Sequence, residues 1–351
     1  MLRTRTDLPR VRLLFLTFAC AMLSLGAGAA SCKTQSQMTA AERDALSRAA
    51  RTMVSEVQAG DTEALRANTI PAVAAEFGGI AGSVTNLKPL VQEATITVDS
   101  LYALDASTES AGAGRTDFYC GTPVVVLNFT SLPPGSYALV ILHATGVPRP
   151  QQVSLILSET AEHRWMLAGF FSKPMTVAGH DGLWYWVSAR QYAKKKMNWD
   201  AWFYYRTAAY FLDPVDFLSS PNLEKLQQEE EQVHPGGLPV VEPLVLDAHG
   251  SVFKVTAIDT TAALGALDLE VHYTPDAAQA ALLRDSPAAR KQVTQLMTVL
   301  LALHPELHDA FHGIWVYADG GSASLFSLEL PMDQIVPLTE PSATSSSLAD
   351  R

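Results

Sequence analysis

Cysteine, positive charge and long apolar runs are all scarce in this chain. It has 3 cysteines in 351 residues, and Cys20 falls within an N-terminal leader expected to be removed. The remaining pair, Cys32 and Cys120, leaves two arrangements open. Either Cys32 is engaged elsewhere and Cys120 stays a lone buried thiol, or the two form a disulfide in an oxidising compartment. Lysine and arginine number 25 against 36 aspartates and glutamates, a net charge of −11. Removing residues 1–31 takes away Arg3, Arg5, Arg10, Arg12 and Asp7, or +3, so the body carries −14. Phosphate backbones repel a surface of that sign, which excludes nucleic acid as a partner. The apolar run Leu13–Leu25 is shorter than the roughly 20 residues needed to cross a bilayer. There is no Gly-rich phosphate loop, nucleophile elbow or paired-carboxylate motif, so no cofactor is implied. Cys120 has no activating base nearby in sequence and reads as a small buried hydrophobe.

What the N-terminus does have is a basic leader (Arg3, Arg5, Arg10, Arg12), the apolar run, and the small residues Gly26–Ser31 before Cys32. That order is a secretory signal. Its end, Ala29-Ala30-Ser31-Cys32, resembles a bacterial lipoprotein signal, with Ala29 where that family usually has leucine. The resemblance implies a signal peptide over 1–31 and acylation of Cys32, which would anchor the chain in the lipid bilayer. The body would then face the periplasm or exterior of a bacterial cell envelope. Ordinary cleavage around Ala27–Ala30 would instead give a soluble secreted protein.

A polar tether is expected over 32–38. Thr39-Ala-Ala-Glu42 is a capping box opening a helix to about Gln58, ended by Gly60. Asp61 can cap a second helix, and Pro71 can start a third that stops at Gly78-Gly79 or Gly82. Extended segments follow at Thr95–Leu104, Asp117–Thr130, Ser136–Thr145, Gln152–Ser158 and Arg164–Ser172. The runs Val124–Leu127 and Leu139–Leu142 read as central strands buried on both faces. Helices followed by an antiparallel meander make an α+β unit over 39–178. With its opening VQAGDTEALRA, that unit resembles the NTF2-like (cystatin-related) cone. The resemblance implies a curved sheet over helices, in a class holding both enzymes and non-catalytic binding modules, and it carries over no catalytic residue.

Residues 179–233 hold four of the six tryptophans: Trp184, Trp186, Trp199 and Trp202. Their spacing predicts two helices joined near Met197–Asn198 and ended by Pro214, then a further helix to Gln232. Tyr185, Ala189 and Tyr192, then Ala201, Tyr205 and Ala208, are spaced so that the hairpin resembles a single tetratricopeptide-type unit. No second copy occurs, and such arrays need about three. The second helix is apolar on most sides, so it must be covered on most sides. Trp184, Trp186, Trp199, Trp202 and Tyr205 are therefore the expected interdomain or partner contacts. Lys194–Lys196 is read as a solvated tip.

Glu229–Glu231 and the linker 234–243 precede a C-terminal α+β unit over 244–336. Its strands are Ser251–Ile258, Leu267–Tyr273, Ile314–Ala318 and Ala323–Leu330, with the longest helix from Pro287 to about Leu303. Leu267–Tyr273 alternates, so Asp268, Glu270 and His272 share the face expected toward solvent. His304, His308 and His312, each four apart, have the only metal-like spacing. Pro305 and Gly313 interrupt any common helix, so these histidines read as caps of a short surface helix rather than zinc ligands. Residues 337–351 read as a disordered tail. The expected function is an exported, non-catalytic binding or assembly module with an envelope protein partner. The alternative is an enzyme or small-ligand carrier using a pocket inside the N-terminal cone.

Overall fold

The N-terminal helices start and stop where single side chains satisfy helix ends. The computed structural model describes residues 30–335 apart from Ala111, Ala113, His249 and Ser322; the leader before Ala30 and the expected tail lie outside the described residues. The chain enters as strand β1 (Ser31–Thr34), where a tether was expected, followed by a single 3-10 turn. Helix α1 (Ala40–Ala59) is capped by Thr39, whose hydroxyl accepts from the Glu42 N–H at 3.2 Å while Glu42 accepts from the Thr39 N–H. It stops at Gly60, whose φ of 72° is left-handed and suits glycine. Asp61 caps α2 (Thr62–Ala67), and Pro71 opens α3 (Pro71–Ala74).

Gly78, Gly79 and Gly82 do not end a helix. They lie inside α4 (Gly78–Val91), whose Val84, Leu87 and Val91 are buried. Burying three such side chains outweighs a glycine cost of about 1 kcal/mol each.

The strands that follow are β2 (Thr95–Asp105), β3 (Arg115–Cys120), β4 (Val125–Thr130), β5 (Ser136–Thr145), β6 (Gln151–Glu159) and β7 (Trp165–Pro174). The segment expected as one strand over 117–130 is thus a hairpin, turning at Gly121, whose φ is 69°. β4 is not buried on both faces, and Val124 is 44% exposed. β5 is, as its unbroken apolar run requires. Sheet order is β1-β2-β5-β6-β7, antiparallel throughout. One face of β5 (Ala138, Val140, Leu142) packs on α1 and α4. The other (Tyr137, Leu139, Ile141) packs on the β3–β4 hairpin. Cys32 and Cys120 are joined by a disulfide with Cα atoms 5.1 Å apart, tying the large sheet to that hairpin.

After the short strands β8 (Thr176–Val177) and β9 (His180–Asp181) come α5 (Gly182–Lys194) and α6 (Asn198–Leu212). Strand β10 (Leu218–Ser219) adds to β4, and α7 (Pro221–Gln232) follows. The C-terminal unit holds β11 (Leu244–Ala248), β12 (Ser251–Thr261), β13 (Asp268–Thr274), α8 (Ala277–Leu282), α9 (Ser286–Leu303), α10 (Leu307–Ala310), β14 (Gly313–Asp319) and β15 (Ser324–Pro331). Its strands pair in chain order, β13 and β14 in parallel with α8–α10 as the crossover. The whole is an α+β fold. Among the described residues no helix is long and apolar enough to cross a membrane.

The hairpin α5–α6 shares one continuous core with the C-terminal sheet and α9. The helices meet closely where Gly182 starts α5. A Cβ there would lie 2.7 Å from Leu212 Cγ, 2.9 Å from Phe211 Cβ and 3.2 Å from the Ala208 carbonyl. We expect Gly182→Ala to lower stability by about 1–3 kcal/mol, as overpacking does. A melting temperature equal to the parent's would show that the crossing has slack.

Candidate functional site

Helix α6 is a buried rod: Trp199 through Tyr205 are all under 9% exposed, including the carboxylate residue Asp200. The expected contact residues spread over several surfaces. Trp199 packs at a tilt against His304, centroids 3.9 Å apart, and Trp202 meets His234 edge-on at 4.5 Å. Trp186 Nε1 donates to Glu229 at 2.8 Å, Arg190 clamps the same carboxylate through two nitrogens, and the Tyr205 hydroxyl donates to it at 3.4 Å. The Arg190 bonds, helped by Trp186, hold Glu229 below the usual carboxylate range. Glu229 therefore fastens α7 to the hairpin, a role its place in an acidic run gave no hint of. Trp184 is 40% exposed and stacks on His180 at 3.6 Å. Lys194–Lys196 is exposed at the tip, as expected.

The N-terminal sheet meets the hairpin through backbone as well as side chains. Lys173 on β7 donates to the Tyr210 and Asp213 carbonyls at the end of α6, where a cation suits the helix dipole. Burial pulls Lys173 down to about 8, against the opposing pull of Asp213. Burial likewise pushes Asp213 up to about 6, with Lys173 opposing. Gln152 donates to the Pro214 carbonyl at 3.1 Å and the Asn128 N–H to the Phe217 carbonyl at 2.9 Å.

Beside these links lies a cleft of about 520 Å³ with walls from both sides. Tyr102, Ile141, His143 and Gln152 come from the sheet, and Leu183, Trp186, Leu212 and Pro214 from the hairpin region. Asp99 and His143 face each other at 3.8 Å on its sheet side. Leu183 and Val187, one turn apart on α5, are 56% and 45% exposed, so an apolar stripe leads into the cleft. The helix-covered face of the sheet, where the alternative reading put a pocket, is packed by Leu46, Met53, Val54, Val84 and Leu87 from the helices.

The three histidines of metal-like spacing do not converge. His304 lies on Trp199 and beside Glu306, and His308 is exposed next to Asp309. His312 instead meets two carboxylates from distant strands: its Nδ1 is 2.8 Å from Asp268 Oδ1 and 3.9 Å from Glu329 Oε1. Asp268, expected toward solvent, is fully buried, its carboxylate enclosed beside His312, Gly313 and Glu329. Glu270 and His272 do share the outer face, where both ring nitrogens of His272 are held, by Glu270 at 2.9 Å and Asp319 at 3.0 Å. Burial opposes the charged ring, yet these two carboxylates raise His272 above its ordinary value.

No family model, curated protein or solved structure matches the chain.

Proposed function

We propose that this is an exported, non-catalytic binding module that holds an apolar segment of an envelope protein in the cleft between sheet and hairpin. The supporting observation is the cleft itself, walled by both halves of the molecule and continued on α5 by the exposed pair Leu183 and Val187. Concave, largely apolar surfaces with a few polar groups at the rim are the usual form of binding sites. Export is supported by the leader and by the Cys32–Cys120 pairing, since such bonds persist in oxidising compartments.

The sulfur of Cys32 has two exclusive fates, because an acylated thioether cannot also join a disulfide. We assign the disulfide, and with it the secreted rather than the lipid-anchored form. The Ala30 N–H donates to Glu109 Oε1 at 3.0 Å, which suits a chain cut shortly before it. Intact mass of the protein from its producing cell separates the two forms. Loss of two hydrogens with no added lipid is expected, and a diacylated Cys32 would restore the anchored reading.

Binding is tested by crosslinking the full chain in its native compartment, alongside a Leu183→Lys, Val187→Lys double variant. These exposed changes should leave the melting temperature within about 1 °C, since surface substitutions cost little. Capture of a defined partner should fall at least tenfold, by our estimate for losing an apolar anchor pair worth about 1.4 kcal/mol or more. A wild-type chain always recovered alone, or a double variant that captures the same partner equally well, would sink the reading. A small-ligand carrier or enzyme is the second reading, favoured by the Asp99–His143 pair facing the same cleft.

A further inference from the structure

We propose that Asp268, His312 and Glu329 form a binding site for a divalent transition-metal ion, with Zn²⁺ the ion their donors fit best. The three residues are far apart in sequence and are brought together at one end of the C-terminal sheet. Asp268 starts β13, His312 directly precedes β14, and Glu329 lies on β15, opposite Trp315. One ligand atom from each residue falls within 4.8 Å of the others. Zinc bound tetrahedrally at about 2.1 Å needs donors roughly 3.4 Å apart. The imidazole-to-carboxylate distances of 2.8 and 3.9 Å bracket that separation.

The floor of the site is Gly313, and its missing side chain is what lets the carboxylates approach each other. A Cβ there would lie 2.7 Å from Glu329 Oε1 and 3.1 Å from Asp268 Oδ1. Backbone bonds hold the histidine from both sides: its N–H donates to the Leu267 carbonyl and its carbonyl accepts from the Met332 N–H, each at 2.9 Å. The ligands therefore ride on adjacent strand ends rather than on a mobile loop.

Charge supplies the independent reason for a cation. Asp268 is fully buried, and its Oδ2 has no hydrogen-bond partner. Glu329 Oε1, the oxygen that faces His312, is also buried without one. Two adjacent carboxylates with unpartnered oxygens are costly to bury without compensating positive charge. A single imidazolium supplies at most one unit, whereas a divalent ion neutralises both. The nitrogen donor disfavours Mg²⁺ and Ca²⁺, which prefer all-oxygen shells. The His312 side chain is 51% exposed, so water has access to complete the coordination.

The test uses the full chain, stripped with EDTA and titrated calorimetrically with ZnCl₂, then with MgCl₂. We expect one Zn²⁺ per chain, a raised melting temperature on binding, and no response to Mg²⁺. His312→Ala, at a half-exposed position, and Glu329→Gln should each weaken binding at least tenfold, the lower end of what even outer-shell changes cost. His304→Ala and His308→Ala should leave binding unchanged. Far-UV circular dichroism of each variant confirms folding. Co²⁺ substitution gives a second readout, an absorption band present in wild type and absent in His312→Ala. Absence of stoichiometric zinc binding by the wild type would overturn the site. So would binding lost with His308→Ala but kept with His312→Ala, which would mark a surface histidine as the ligand.

Discussion

Cys120→Ala is expected to destabilise the oxidised N-terminal unit by about 4.6 kcal/mol, the entropy of closing a loop of this length in the unfolded chain. The bond spans 88 residues, from edge strand β1 to the end of β3. Opening it releases the β3–β4 hairpin from β1, which stays paired with β2 at the edge of the large sheet. Cys120 is fully buried beside Phe118 and Leu127, so removing its sulfur adds a small cavity cost. Cys32→Ala, at a half-buried site, should therefore cost slightly less, and the double variant little more than Cys120→Ala alone. Urea unfolding with and without reductant reads these values, with Trp165 on β7 reporting on the N-terminal unit. A wild type whose unfolding midpoint ignores reductant would mean that the two sulfurs are not joined in the working protein. The acylated form should behave in that way, so the measurement also bears on anchoring.

Much of this fold is written locally. The Thr39/Glu42 capping box, the stop at Gly60, the cap at Asp61 and the alternation of Leu269–Tyr273 are satisfied within a few residues, and each forms where its pattern places it, whereas Asp268 breaks the alternation. The aromatic hairpin was legible for the same reason, as helical spacing with a joint near Met197. Sequence pattern and structure part where tertiary contacts outvote local propensity. The glycines of α4 are carried by the burial of Val84, Leu87 and Val91 on the far side of the same helix. The β3–β4 hairpin hid in an extended run, although Pro123 cannot donate within a strand and marked the turn. His312 and Asp268 are 44 residues apart and meet only because β13 and β14 lie side by side. No spacing rule reaches that far, and the regular His304/His308/His312 ladder pointed to the wrong companions. Asp200 was also hidden, since no sequence pattern separates an exposed first-turn acid from one enclosed on all sides.

Asp200→Asn should stabilise the protein at pH 8 by about 4 kcal/mol and change little at pH 4, because three pKa units correspond to about that free energy. Asp200 is fully buried in the first turn of α6, and neither carboxylate oxygen has a hydrogen-bond partner. Burial, reinforced by Glu306 and Asp309, pushes its carboxyl from 3.8 up to about 7. The helix N-terminus favours the anion, but by only about 0.3–1 kcal/mol, too little to offset that burial. The sign follows from proton counting. Between about pH 4 and pH 7 the folded state keeps a proton that the unfolded state has released, so stability falls as pH rises through that window. Below it both states are protonated and the site costs nothing through ionisation. Above it both are ionised and the full penalty is present. Asparagine keeps the shape and cannot ionise, so the stability curve of Asp200→Asn should lack this descent, while contributions from Asp213, His272 and His304 remain. Urea midpoints measured from pH 4 to pH 8 give the comparison directly. If the wild-type and Asp200→Asn curves run parallel across that range, Asp200 titrates alike in both states and its carboxylate has found water or a cation inside the core.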